Sequence, residues 1–239
     1  MTEIKNQQMP ENNAKKMKKK QRMMHEFLRA TSEITREKGI EAVSMRSVAD
    51  WVGYSRASLY NYFEDLEQLL AFASIDLITE WILEVIKIIN SEQDSIDKYI
   101  QLWNTYIAHS LQSPRSFAYI YDDVNMEKIS DYLDDYCEAF PDITSTWPEE
   151  MTDRKKLLAV MKQENHVLDL CIKDGYFAES DFDEIYHFTL LLSNGILWSV
   201  EHYVDRYSPE QYQDWFITYL IQFIKSKLLK DIDFSRYEK

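Results

Sequence analysis

The stretch Ser44-Met-Arg-Ser-Val-Ala-Asp-Trp-Val-Gly-Tyr-Ser-Arg-Ala-Ser-Leu-Tyr-Asn-Tyr-Phe63 decides the fold. Ser44 stands as an N-cap before a helix over Met45–Val52, and Ser55 as an N-cap before a second one over Arg56–Phe63. Val48, Ala49 and Val52 share the inner face of the first helix; Leu59 and Phe63 share that of the second. Gly53 lies where the chain must leave the first helix sharply, a place that tolerates positive φ. Upstream, Phe27, Leu28, Thr31 and Ile34 recur at helical spacing, and Gly39 follows Lys38 as a C-cap signal. Three short helices, the last two joined by a tight glycine turn, make a helix-turn-helix layout. Arg56, Ala57, Ser58, Tyr60, Asn61 and Tyr62 then point mostly outward. A short helix presented in this way fits the major groove of DNA, where arginine can bond a guanine edge bidentately. Hydroxyls and free N–H groups at a helix start suit phosphate.

Downstream of this head the periodicity stays helical. A long helix begins near Leu66 and runs to Ile89, with Leu69, Leu70, Ala73, Leu77, Trp81 and Val85 on one face. Further helices are expected over Ser95–Leu111, Pro114–Val124, Met126–Phe140 and Asp153–Lys173, with residues 141–152 as the clearest loop. The last two are expected near 180–207 and 209–230, where Ser208 and Pro209 supply an N-cap and N1. With only 4 Gly and 5 Pro in 239 residues, an all-β chain and a glycine-rich nucleotide fold are both disfavoured. The expected class is all-α: a basic, disordered arm over 1–21, a three-helix domain over 22–66, and a larger α-helical body over 67–239.

Charge divides along the same boundary. Residues 1–66 hold 12 Lys+Arg against 9 Asp+Glu, leaving 15 against 32 for residues 67–239. The acidic body repels nucleic acid, so any DNA contact belongs to the head and to the run Lys15, Lys16, Lys18, Lys19, Lys20. Two cysteines and no apolar leader behind the polar N-terminus point to a reducing, cytoplasmic setting. The apolar stretch around 190–204 carries Asn194, Glu201 and His202, and so reads as a buried helix and not as a membrane span. The five histidines have no metal-ligand spacing, and no nucleophile elbow, Walker loop or dinucleotide fingerprint occurs. No enzyme activity, metal or cofactor is therefore expected.

Over residues 24–70 the pattern Ala49…Gly53…Ser55…Leu59-Tyr60…Tyr62-Phe63…Leu69 resembles the DNA-binding domain of TetR-family transcriptional regulators. Beyond residue 70 the resemblance rests on helix lengths and on Gly175-Tyr176-Phe177, similar to the short turn before the last two helices of that family. It implies an all-α homodimer with an N-terminal DNA head and a C-terminal ligand-binding body, acting as a repressor that a small molecule releases from a palindromic operator. Ser44, Arg46, Ser55, Arg56, Ala57, Ser58, Tyr60, Asn61 and Tyr62 are the expected DNA-binding residues. Two positions depart from the family pattern: Leu66 stands where a lysine is usual, after Glu64 and Asp65, and Tyr54 replaces a small aliphatic residue in the turn.

The body offers a candidate ligand wall. On a continuous Asp153–Lys173 helix, Glu164 and Asn165 fall within the apolar arc of Leu157, Met161, Leu168 and Ile172, where a carboxylate is costly unless paired. The expected ligand-binding residues are Trp103, Tyr106, Phe117, Tyr121, Met161, Glu164, Asn165 and Leu168. The expected ligand is lipophilic and cationic, because cations favour aromatic walls and the acidic body has no arginine cluster for an anion. The helix near 180–207, apolar nearly all round, and the one near 209–230, with a clean apolar stripe, are expected to form a four-helix bundle between two chains. Two other readings remain: a TetR-like protein that works through protein partners without an inducer, and an enzyme whose head only looks like a helix-turn-helix.

Overall fold

The computed structural model describes residues 11–203, 206–235 and 237. They are helical with no strand among them. Helix α1 (Glu11–Lys38) packs against α2 (Met45–Val52), and α3 (Arg56–Leu59) closes the head. Ser44 caps α2 through a reciprocal box with Ser47, and Gly53 ends it at φ 81°. Only glycine takes that left-handed turn without strain, so the angle between α2 and α3 depends on it. Phe27, Leu28, Val48, Ala49, Leu59, Phe63 and Leu69 fill the core of the head.

The arm differs from expectation. α1 is continuous from Glu11, so Lys15 to Lys20 are exposed on a helix. Residues 1–10 of the arm lie outside the described residues. The lysine run is built of good helix formers, and the packed part of α1 below it removes the cost of nucleation. Met24 is buried, and Gln21 Nε2 donates to the Ala139 carbonyl at 3.1 Å, which ties the extension to the body.

Helix α4 (Leu66–Ile89) runs from the head into the body, capped by Asp65, which accepts from Gln68 N at 2.8 Å. It packs on α5 (Ser95–Ser110) and α1. Three expected helices are divided. Residues 114–140 form α6 (Pro114–Ile120), α7 (Asp123–Asp131) and α8 (Leu133–Ala139), because Asp122 caps a new start by accepting from Val124 N and Asn125 N. The expected loop over 141–152 holds two single turns, α9 (Pro141–Thr144) and α10 (Glu149–Thr152). The expected Asp153–Lys173 helix is broken at Lys162 into α11 (Arg154–Met161) and α12 (Gln163–Lys173), and no glycine or proline accounts for the break. Then come α13 (Phe182–His202) and α14 (Pro209–Lys225), which pack on each other. Residues 204 and 205 at the end of the expected 180–207 helix lie outside the described residues. α14 stops five residues short of Lys230, where Leu229 N donates instead to the Tyr176 carbonyl at 2.9 Å.

An aromatic chain joins head to body. Phe27 meets Phe63 at 6.3 Å between ring centroids, Phe63 meets Phe72 of α4 at 5.9 Å, and Phe72 meets Tyr136 of α8 at 5.3 Å. These edge-on rings add to their burial a specific relative orientation. The Tyr136 hydroxyl donates to Asp76 of α4 at 3.1 Å, which pins α8 to the long helix.

Candidate functional site

The outward surface of the head is built by α3. Ser55 caps it by accepting from Ser58 N at 3.1 Å, and Leu59 is fully buried, which sets the rotation of the helix. Ser55, Arg56, Ala57, Tyr60 and Asn61 are thereby exposed together. Arg56 Nη2 donates to the Tyr60 hydroxyl at 3.1 Å and its guanidinium lies 5.6 Å from the Tyr60 ring, so the two side chains are preorganised as a pair. Regular helix ends at Leu59, not at Phe63; Tyr62 N and Phe63 N still donate to the Leu59 carbonyl.

The other expected DNA-binding residues are distributed unevenly. Arg46 is exposed and 3.5 Å from Asp50. Ser44 is half-buried and committed to its capping box; Ser58 is half-buried beside Ser55. Tyr62 leans inward, its ring 5.3 Å from Phe27. Trp51, absent from the expected set, is 45% exposed at the end of α2 with Lys38 Nζ 5.5 Å from its ring. Its outward place on the first helix was the signal available in the sequence. The two departures have packing reasons. Tyr54 covers Phe27 at 5.7 Å and donates to Met23 Sδ at 3.5 Å. Leu66 packs half-buried against the core, beside Asp65, which caps α4, and Glu64, whose N donates to Gln68 Oε1 at 2.9 Å. Lys20 and the exposed Tyr60 and Asn61 border one open cleft of about 410 Å³, so the lysine-bearing part of α1 stands next to α3.

In the body, Trp103, Tyr106, Tyr121 and Glu164 come together around a small cavity, joined by Trp81, Val85, Leu102, Val160 and Gln163. Phe117 stands behind it, 6.0 Å from Trp81 and 6.1 Å from Tyr106. Met161 contributes its carbonyl, to which the Tyr121 hydroxyl donates at 3.3 Å. Asn165 and Leu168 do not line the cavity, although they stand with Glu164 on α12; Leu168 is fully buried one turn further on. Gln163 was hidden by the break at Lys162. The cavity holds about 10 Å³, room for about one water.

Burial among these rings pushes the Glu164 carboxyl up to about 7, against hydrogen bonds from its own backbone and Tyr121 and the nearby Lys162 charge. Tyr121 donates to Glu164 Oε1 at 3.3 Å; burial raises Tyr106 and Tyr121, which therefore stay neutral donors. The folded state holds the Glu164 proton more tightly than the unfolded chain does, so this group's contribution to stability falls as pH rises from about 4.5 through about 7. The resulting penalty above that range is roughly 3 kcal/mol. Glu164→Gln, which keeps the acceptor for Tyr121, is expected to raise stability by about that amount near pH ~8 and by under ~1 kcal/mol near pH ~5. Urea unfolding at the two pH values checks it; an equal effect at both would show that the carboxyl is not buried as a proton-holding group.

Along α13, Leu191 is 70% and Trp198 53% exposed, and Gly195 between them has open space where a Cβ would stand. Tyr219 of α14 is also exposed, and Phe188 stacks on Phe223 at 3.8 Å between the two helices. Among the described residues no group of three or more His, Cys, Asp or Glu is arranged to hold a metal ion, and no helix is long and apolar enough to cross a membrane.

Residues 27–72 match the family described as bacterial regulatory proteins, tetR family. No curated protein matches the chain significantly. Among solved structures, the ketosteroid transcriptional regulator of Mycobacterium tuberculosis is 19% identical, with a TM-score of 0.53 over 87% of this chain and 96% of that one. A TetR family transcription regulator from Marinobacter aquaeolei is 18% identical, with a TM-score of 0.55 over 90% and 98%. A protein from Saccharomonospora viridis, described as a candidate transcriptional regulator in complex with choline, is 14% identical, with a TM-score of 0.57 over 88% and 99%. At these identities the likeness is one of fold.

Proposed function

We propose that this TetR-family protein, whose residues 27–72 carry the family's head and whose body has its fold, is a homodimeric repressor that binds a palindromic operator and leaves it when a small molecule enters the body. The observation that carries the reading is the exposed Arg56–Tyr60 pair on the short helix of a helix-turn-helix, on a chain whose acidic body is unsuited to DNA. Arg56 reads a base edge in the major groove; Ser55, Arg46 and Asn61 meet backbone and neighbouring bases. Lys15 to Lys20, carried on α1, supply the phosphate attraction that Leu66 does not. Ligand entry between α4, α5, α12 and the α6–α7 turn tilts α4. In a dimer this alters the one-turn spacing of about 34–36 Å between recognition helices.

Arg56→Ala is expected to cost about 1–3 kcal/mol of operator binding and to relax preference at the base it reads. Gel shifts against matched and single-base-changed duplexes measure both. Unchanged affinity and unchanged preference would remove Arg56 from base readout.

The near-filled cavity favours a second reading, in which the body is switched by a protein partner. Screening small molecules for release of the bound duplex separates the two: no release by any compound, with release by a cellular protein, selects the partner.

A further inference from the structure

We propose that the body's cavity takes a small alkylammonium ion that also carries a hydroxyl or carbonyl oxygen. This deepens the ligand-released reading above and rests on it. Four aromatic rings border the cavity in contact with one another: Trp81 lies 6.1 Å from Tyr106 and 5.9 Å from Tyr121, and Trp103 lies 5.6 Å from Tyr106. Ring faces attract a cation most where water is excluded. The one carboxyl on the wall, Glu164, accepts from the Tyr121 hydroxyl at 3.3 Å and supplies the opposite charge when a cationic guest displaces the proton that burial makes it hold.

Three buried atoms on the wall lack a hydrogen-bond partner. Trp81 and Trp103 are each 3% exposed and neither indole Nε1–H has an acceptor. Gln163 Oε1 is buried without a donor, although its Nε2 donates to the Ala159 carbonyl. Buried polar atoms are nearly always paired, so three orphans on one wall mark places that a guest fills. The Trp81 donor calls for an oxygen on the guest; Glu164 and the rings call for its positive charge. A purely apolar guest would leave the indole N–H unpaired and a carboxyl buried against hydrocarbon. The wall gives way where its helices are already interrupted. Tyr121 stands at the end of α6 and Gln163 just past the break at Lys162, so the guest enters by parting the α6–α7 turn from the start of α12.

Choline and its uncharged carbon isostere 3,3-dimethylbutan-1-ol are the probes, because they match in shape and hydroxyl and differ in charge. Each is titrated into the full-length protein, with calorimetry and tryptophan fluorescence as readouts and duplex release followed in parallel. Choline is expected to bind at least about tenfold more tightly than the isostere. Glu164→Gln is expected to erase that preference. Trp81→Phe keeps a ring and removes the N–H, and is expected to weaken choline several-fold without changing the affinity for tetramethylammonium, which has no oxygen. Equal binding of choline and isostere, undiminished choline preference in Glu164→Gln, or no choline binding at millimolar concentration would each overturn the inference. The ligand-released reading fails separately, if no compound of any charge releases the duplex.

Discussion

Leu191→Asp with Trp198→Asp is expected to give a folded monomer whose operator affinity is lower by about 10²–10⁴. Both side chains are exposed, 70% and 53%, so their replacement removes little from the core of one chain. They stand seven residues apart on one face of α13, with the exposed Gly195 between them, so a second helix can approach closely there. Phe188 and Phe223, stacked at 3.8 Å, extend the same apolar region across to α14. Two aspartates per chain at the centre of a twofold interface would face their own copies, adding like-charge repulsion to the loss of burial. Half-site binding by one head would remain, and the loss is that of the second, linked head. Sedimentation together with gel shifts measures both effects. A double variant that stays dimeric, or keeps full affinity, would place the interface elsewhere.

Phe72→Ala is expected to cost about 3–5 kcal/mol in unfolding, measured at fixed protomer concentration. The ring is 2% exposed and touches Phe63 of the head and both Tyr136 and Phe140 of the body, at 5.9, 5.3 and 6.3 Å. Its removal leaves a cavity at the joint between head and body. The fold can close that cavity only by moving α3 or α8, which the Ser55 cap and the Tyr136–Asp76 hydrogen bond hold in place. The same joint transmits any tilt of α4 to the head. Ligand release of DNA, with a typical allosteric coupling of about 1–3 kcal/mol, is therefore expected to weaken in Phe72→Ala even where the protein still binds both ligand and operator. A cost below about 1 kcal/mol with unchanged coupling would show that the aromatic chain is filler and not a joint.

The head was legible because its signals are local. A capping serine, a glycine at φ 81° and buried residues at Val48, Ala49, Leu59 and Phe63 each report on chain a few residues away. The body was legible as helices but not as a site. Its helix breaks at Tyr121–Asp122 and Lys162 carry no glycine or proline; the first follows the Asp122 cap and the second leaves no mark in the periodicity. The helical wheel put both Glu164 and Asn165 inward, but only Glu164 lines the cavity, because adjacent residues on α12 point about 100° apart. Trp81 was legible as an aromatic on the inner face of α4 but not as an unpaired donor, since no sequence pattern shows which buried indole N–H lacks an acceptor. The lysine run read as a free arm because charge predicts solvation and not the anchorage of Gln21 on Ala139.

The central claim, that this chain is a dimeric reader of a specific DNA sequence, is tested most directly by selecting bound duplexes from a random pool with the full-length protein. The account predicts enrichment of an inverted repeat whose half-sites lie about one helical turn apart, with preference at one position lost in Arg56→Ala. Recovery of no shared sequence, with binding that depends on salt alone, would contradict it.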